Sequence, residues 1–177
     1  MVKKLMKFFA YAFFFIVALM YFAPKVSAFY FLEEQLKPYG VIISSEKLND
    51  TGFSLDIEDA VISFKSIESA KLTRANIKIF ALYNAVHIED ITLSDTAASF
   101  VPLGIQKGDI RYSIVDPLHV RGEVLGDFGE ADIVYDISQR SVYVTLKPSK
   151  LMLNKYRSTL RNFKKDENGE YVYEKTF

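Results

Sequence analysis

From Phe8 to Ala23 the chain runs through 16 residues without a charged side chain, and Lys3, Lys4 and Lys7 stand just before it. As a helix, such a run is roughly 24 Å long, against a bilayer hydrocarbon core of roughly 30 Å. It is long for the apolar part of a signal peptide and slightly short for a span. Val26-Ser27-Ala28 fits the small-residue pattern of a cleavage site. Yet apolar character resumes after Lys25 in Phe29, Tyr30, Phe31 and Leu32. A lone lysine near a helix end can snorkel, so a tilted span can end near residues 28–32. The length of the run favours an uncleaved anchor over residues 1–28. Either way the lysines stay in the cytoplasm and the remainder is exported. A buried core helix fits poorly, because nothing polar interrupts the segment.

About thirty of the 177 residues belong to this segment, which leaves enough chain for one domain. Half the residues are hydrophobic, with 15 Phe and 11 Tyr, so a core can form without disulfides; there is no Cys. The net charge of zero averages four blocks: +4 over residues 1–28, −8 over 29–146, +7 over 147–165 and −3 over 166–177. An acidic body lacks the basic field that phosphate backbones require, so nucleic acid is not expected as a partner.

Beyond the anchor, residues 29–40 predict a short amphipathic helix. Phe29, Leu32 and Leu36 share a face, and Pro38 and Gly40 end it. The period then changes to two. Phe53, Leu55 and Ile57 alternate with Ser54, Asp56 and Glu58. The parity slips to Ile62 and Phe64, which predicts a bulge or turn near Asp59. Ile77 and Ile79, Val86 and Ile88, and, after another slip, Ile91 and Leu93 follow. Ile110, Tyr112 and Ile114 form the next strand, then Leu118 and Val120. Ile133, Tyr135 and Ile137 return through a Ser138-Gln139 turn as Val142, Val144 and Leu146, the clearest hairpin. With no helical crossovers between them, residues 41–147 predict one strongly bent antiparallel β-sheet, an open groove or half-barrel. Its apolar face should carry Phe53, Leu55, Ile57, Ile77, Ile79, Ile133, Tyr135, Val142 and Val144. Within residues 148–177, Ser149 is a plausible N-cap for a second amphipathic helix over 150–164. Leu153, Tyr156, Leu160 and Phe163 would line its apolar side. Asn168-Gly169 makes a turn and Tyr171 to Tyr173 a last strand. Ile57-Glu58-Asp59-Ala60-Val61-Ile62-Ser63 is echoed 31 positions later by Ile88-Glu89-Asp90-Ile91-Thr92-Leu93-Ser94. Two similar strand units stacked side by side would explain the echo.

Several of these stretches together resemble a known family. They are Leu36-Lys37-Pro38-Tyr39-Gly40-Val41, Gly52-Phe53-Ser54-Leu55-Asp56-Ile57-Glu58-Asp59-Ala60, Ala81-Leu82-Tyr83-Asn84, Leu146-Lys147-Pro148-Ser149-Lys150 and Gly169-Glu170-Tyr171-Val172-Tyr173. Behind a short anchor and an aromatic helix, the pattern resembles the type II secretion system protein N family and, more distantly, AsmA-like proteins. The resemblance covers most of residues 8–177 and rests on a diffuse strand pattern. It implies a single-pass inner-membrane protein with a curved sheet in the periplasm, associated with secretion or with envelope lipid handling.

Catalytic chemistry finds no nominee. His87 and His119 lie in predicted strands without a ligand at zinc spacing. Glu58-Asp59 and Glu89-Asp90 are paired carboxylates, but turns favour acids too. There is no nucleophile elbow, phosphate loop or dinucleotide fingerprint. Gly122, Gly126 and Gly129 are too scattered to cradle phosphate. No cofactor or metal is expected, and the chain reads as non-enzymatic. The basic residues Lys150, Lys155, Arg157, Arg161, Lys164 and Lys165 are the one charged feature with a functional reading. They could meet anionic headgroups or an acidic partner, or pair with the acidic body itself. The expected partners are the inner membrane, other envelope or secretion proteins, and lipid. Two roles follow: an accessory component of type II secretion or envelope assembly, or a lipid-handling groove of the AsmA or lipopolysaccharide-export kind.

Overall fold

The computed structural model describes residues 2–80, 82–95, 102 and 104–177; Ala81, part of one stretch carrying the resemblance, lies outside them. Two helices come first, α1 (Val2–Tyr21) and α2 (Lys25–Leu36), followed by a 3-10 turn at Lys37–Tyr39. Strands β1 (Val41–Ser44), β2 (Lys47–Asp50), β3 (Ser54–Phe64), β4 (Ile67–Ile79), β5 (Tyr83–Leu93), β6 (Gly104–Ser113), β7 (Asp116–Gly126), β8 (Gly129–Asp136) and β9 (Ser141–Pro148) follow. Last come α3 (Lys150–Lys155), α4 (Arg157–Leu160), β10 (Lys164–Lys165) and β11 (Tyr171–Thr176). All strands form one open antiparallel sheet, in the order β1-β3-β4-β5-β6-β7-β8-β9-β11-β10, with β2 also on β3. The protein is thus mainly β, with one N-terminal helix, Lys3–Tyr21, long and apolar enough to cross a membrane. Strand β11 pairs with β9, so the C-terminal stretch belongs to the same sheet.

Chain parity governs which side chains face inward, and the strands manage it with left-handed residues. Asp59 has φ 57° and Asp90 φ 53°, both mid-strand, and Ser45, between β1 and β2, has φ 65°. An aspartate tolerates this conformation because its short side chain bonds locally. The hydrogen-bond ladder skips Asp59 and Thr73 between β3 and β4, and Thr73 and Asp90 between β4 and β5. It skips Asp90 and Gln106 between β5 and β6, and the register shifts across Gln106 against β7. These positions form a line across half the sheet. Along it alternation inverts, so buried Leu55 and Ile57 are followed by buried Ala60 on the same face. The echoed segments around Asp59 and Asp90 are therefore equivalent positions on this line.

Two cores lie on this one face. Val26 and Phe29 of α2 pack on Leu55, Ile57, Ala60 and Ala75. At the other side, Met152, Tyr156 and Leu160 pack on Ala131 and Leu146. Both helices differ from expectation. Pro24 separates α1 from α2, so α2 begins at Lys25 and presents Val26 and Phe29 instead of Leu32 and Leu36, which are exposed. The second helix breaks at Tyr156, where φ is −116° and ψ 33°. It buries Met152 in place of Leu153, and Lys164 and Lys165 leave it to form β10. Ser149 does cap α3, accepting from the Met152 N–H at 3.1 Å.

Lys25 does not snorkel. Its side chain has no exposed surface, and its Nζ lies 3.4 Å from Asp50 Oδ1. It also donates to the carbonyls of Tyr21 (3.3 Å) and Ala23 (3.2 Å), satisfying the end of α1. Asp50 in turn accepts from the Gly52 N–H at 2.8 Å. Gly52 sits at φ 88°, and a Cβ there would fall 2.2 Å from the Tyr21 ring. The anchor is thus bolted to the β2–β3 turn. Removing Asp50 leaves a buried lysine without its counter-charge; because the Asp50 side chain is 33% exposed, the loss falls below the roughly 3–5 kcal/mol of a pair buried on both sides. We expect Asp50→Ala to lower the unfolding midpoint of the full chain in detergent markedly, and Asp50→Asn, which keeps an oxygen acceptor, to lower it less. Denaturant titration followed by circular dichroism checks this.

Candidate functional site: the inner face of the sheet

Cross-strand register aligns one row of side chains across the helix-bearing face. Leu55 opposes Ile77, Ile77 opposes Val86, and Val86 opposes Ile110. The row continues through Gly122, Ile133, Val144 and Tyr173. A second row runs from Ile79 past Asn84 and Tyr112 to Val120, Tyr135 and Val142. Eight of the nine residues expected on the apolar face lie in these rows or, for Ile57, in the row beside them. The exception is Phe53. It precedes β3, is 43% exposed, and sets its ring edge-on to Tyr21 at 5.4 Å between centroids.

The face is not one groove. Leu55 and Ile57 are covered by α2, with Ile77 and Ile88 packed against that cluster. Val144 lies against the α3–α4 cluster. Between the two clusters, β5, β6 and β7 present Val86, Ile110, Val120 and Val124, with Ile110 38% exposed. Strand spacing makes this band on the order of 10 Å wide. Its floor is lowered by Gly108 and Gly122. A Cβ at Gly122 would meet Ile133 Cβ at 3.6 Å, an ordinary contact, so the missing side chain leaves space and relieves no clash. This central band was not singled out from sequence, although Val86, Ile110 and Val120 were placed in strands. Its signal is the two glycines at inward positions of adjacent strands.

The outer face is polar. Arg74 lies 3.5 Å from Glu58 and 3.9 Å from Glu89, and Lys47 lies 2.7 Å from Asp59. Arg111 pairs with Glu123. The paired carboxylates Glu58-Asp59 and Glu89-Asp90 thus sit largely among cations on a half-exposed surface. Among the described residues, no group of three or more His, Asp or Glu is arranged to hold a metal. His119 Nδ1 lies 2.6 Å from Asp116, and Arg121 also donates to that carboxylate, which together hold Asp116 below its usual range. His87 Nδ1 is 2.8 Å from Asp109, and its Nε2 is 3.3 Å from Glu89.

The basic residues do not pair with the acidic body as one reading expected. Lys150, Lys155 and Arg157 are exposed on α3 and α4 and Arg161 just after α4, and none of the six cations forms an ion pair with a described acid. Arg157 Nε donates to the Leu153 carbonyl at 2.8 Å. The geometric reason is that α3 and α4 lie on the apolar inner face, whereas most of the acids line the outer one. Arg157 and Arg161 flank an open hollow of about 560 Å3 floored by Leu153, Leu160 and Tyr171.

No protein-family model, curated protein or solved structure matches this chain.

The Asp109 contact raises the His87 pKa above its ordinary 6.5, with Glu89 adding to the effect. The stabilisation from the charged imidazole is therefore complete below pH 6.5 and is lost as pH rises through the raised value. Its size is small because the ring is 40% exposed. Histidine ring NMR should show His87 titrating above 6.5, with Asp109→Asn lowering the midpoint.

Proposed function

We propose that this chain is a non-enzymatic, single-pass envelope protein with its sheet on the non-cytoplasmic side, and that the central inner band holds an apolar chain of a lipid. The observation that carries the reading is the band over β5–β7 that the described helices leave uncovered, bounded by helix-covered clusters on both sides. Water contact with a few hundred Å2 of apolar surface forgoes several kcal/mol at ~25 cal/mol per Å2. An acyl chain has the width to fill such a trough. The cations of α3 and α4, which pair with no described acid, provide a place for an anionic headgroup at its margin. Orientation follows from Lys3, Lys4 and Lys7 before the apolar run. A phosphatase domain fused after Phe177 should be active, and a cytoplasmic reporter at the same site should not.

A second reading, an accessory role in type II secretion or envelope assembly, has its own support. Strand β10 covers only Tyr171 and Val172 of β11. From Tyr173 to Thr176 the outer edge of β11 has no described partner strand. An added strand from another protein would bind there by main-chain hydrogen bonds.

One experiment separates the two. A photo-cross-linking phenylalanine analogue replaces Ile110 on the band, or Arg111 on the outer face, in the full chain in native membranes. The full chain is needed because Val26 and Phe29 belong to the core. Lipid adducts at position 110 but not 111, reduced several-fold by Gly122→Leu, support the lipid reading. Protein adducts alone at position 110 leave the assembly role.

A further inference from the structure

The two rims of the sheet differ in a way that the inner face does not explain. Helix α1 ends against the β2–β3 turn, through Tyr21, Phe53 and the buried Lys25–Asp50 pair. In an antiparallel meander, the β4–β5, β6–β7 and β8–β9 turns lie at that same rim, as does the end of β11. The Phe177 N–H, bonded to the Arg140 carbonyl at 2.9 Å, ties the chain end to the β8–β9 turn. Each of these tips exposes apolar residues: Leu82 in the first, Ile114 and Val115 in the second, Ile137 in the third, and Phe177 at the end. Val115 is 92% exposed. Leu118, the third residue of β7, is also exposed.

The opposite rim is built differently. Its described turns carry Lys65-Ser66, Asp127-Phe128 and Asn168-Gly169; exposed Phe64 and Ile67 flank the first, exposed Tyr39 lies beside it where the Lys65 N–H bonds the Gly40 carbonyl, and most of the β5–β6 connection lies outside the described residues. Turn tips in water ordinarily carry Gly, Asn, Asp and Ser. Apolar tips on successive hairpins form a patch that calls for cover. No described element of the protein covers these residues. The carboxylates at this rim are engaged. Asp116 is held by His119 and Arg121, and Asp136 accepts from the Ser138 and Gln139 N–H groups. Arg140 and Lys175 lie beside the apolar tips.

We propose that this rim rests on the bilayer that α1 crosses, with the tips of the β4–β5, β6–β7 and β8–β9 turns and Phe177 seated in the headgroup layer. The occupant is fixed by continuity: the residues that leave the membrane, Tyr21 to Lys25, are packed into the same rim. Apolar side chains with cations beside them match the interface between acyl chains and phosphates. The strands then stand end-on to the membrane, and the row from Ile79 to Val142 is the part of the inner face nearest the lipid. The inference rests on α1 spanning the bilayer and not on the inner band binding a lipid.

The absence of Cys allows single labels. The full chain, carrying Val115→Cys, Ile137→Cys, Ser66→Cys, Asn168→Cys or Phe15→Cys, is labelled with an environment-sensitive fluorophore. It is then reconstituted in phosphatidylethanolamine–phosphatidylglycerol vesicles. Nitroxide on the lipid should quench labels at positions 115 and 137 several-fold more than those at 66 and 168, and iodide in the buffer should show the reverse order. If position 15 is quenched from the lipid while 115 and 137 behave like 66 and 168, the rim contact is overturned and the anchor stands. If position 15 is also open to iodide, the span itself fails and this inference falls with it.

Discussion

Every layer of this molecule depends on a shared antiparallel register. Because side chains alternate with a period of two, a one-residue slip in any strand would move its apolar set to the outer face. The row from Leu55 through Ile77, Val86, Ile110, Gly122, Ile133 and Val144 to Tyr173 crosses eight strands without such a slip. The helices at both sides can cover apolar surface only because this row exists. Where the strands run past the row, Asp59 and Asp90 turn left-handed and recover the pattern on the same face. The register thus fixes the position of both cores and of the open band between them.

The joint between anchor and sheet is a different kind of constraint. A fully buried lysine amine is tolerated only when its donors are used, and here three oxygens take them: the carbonyls of Tyr21 and Ala23 and the carboxylate of Asp50. The same aspartate fixes Gly52, whose missing Cβ admits the Tyr21 ring. One small cluster therefore sets the angle at which the sheet leaves α1, and with it which rim lies next to α1.

The sheet was legible in the sequence because its cause, period-two patterning, is local. The parity slip at Asp59 and the echo at Asp90 were visible for the same reason, since an inverted backbone leaves its mark in which positions are apolar. The helices were less legible. Phe29, Leu32 and Leu36 satisfy helical spacing, but which of them is buried depends on where the helix starts, and Pro24 moves that start to Lys25. Lys25 itself was misread, because its partner Asp50 is 25 positions away and only the fold brings them together. Ile114 and Ile137 were read as strand residues from alternation alone, yet each falls in a turn just past its strand, although its N–H still bonds across to Leu82 or Leu118. The uncovered band was invisible for a further reason. It is defined by where two helices stop, which no pattern within β5, β6 or β7 records.

The skipped positions at Asp59, Thr73, Asp90 and Gln106 have a mechanical meaning as well. A sheet resists bending because paired residues tie each strand to its neighbours, and along this line four adjacent strands each have a residue that the ladder leaves unpaired. A line of such interruptions scores the plate and marks where it would bend first. Load entering through the bolted rim would be absorbed there before reaching the far one. The half containing β8, β9 and β11, with no score in it, would move as a single slab.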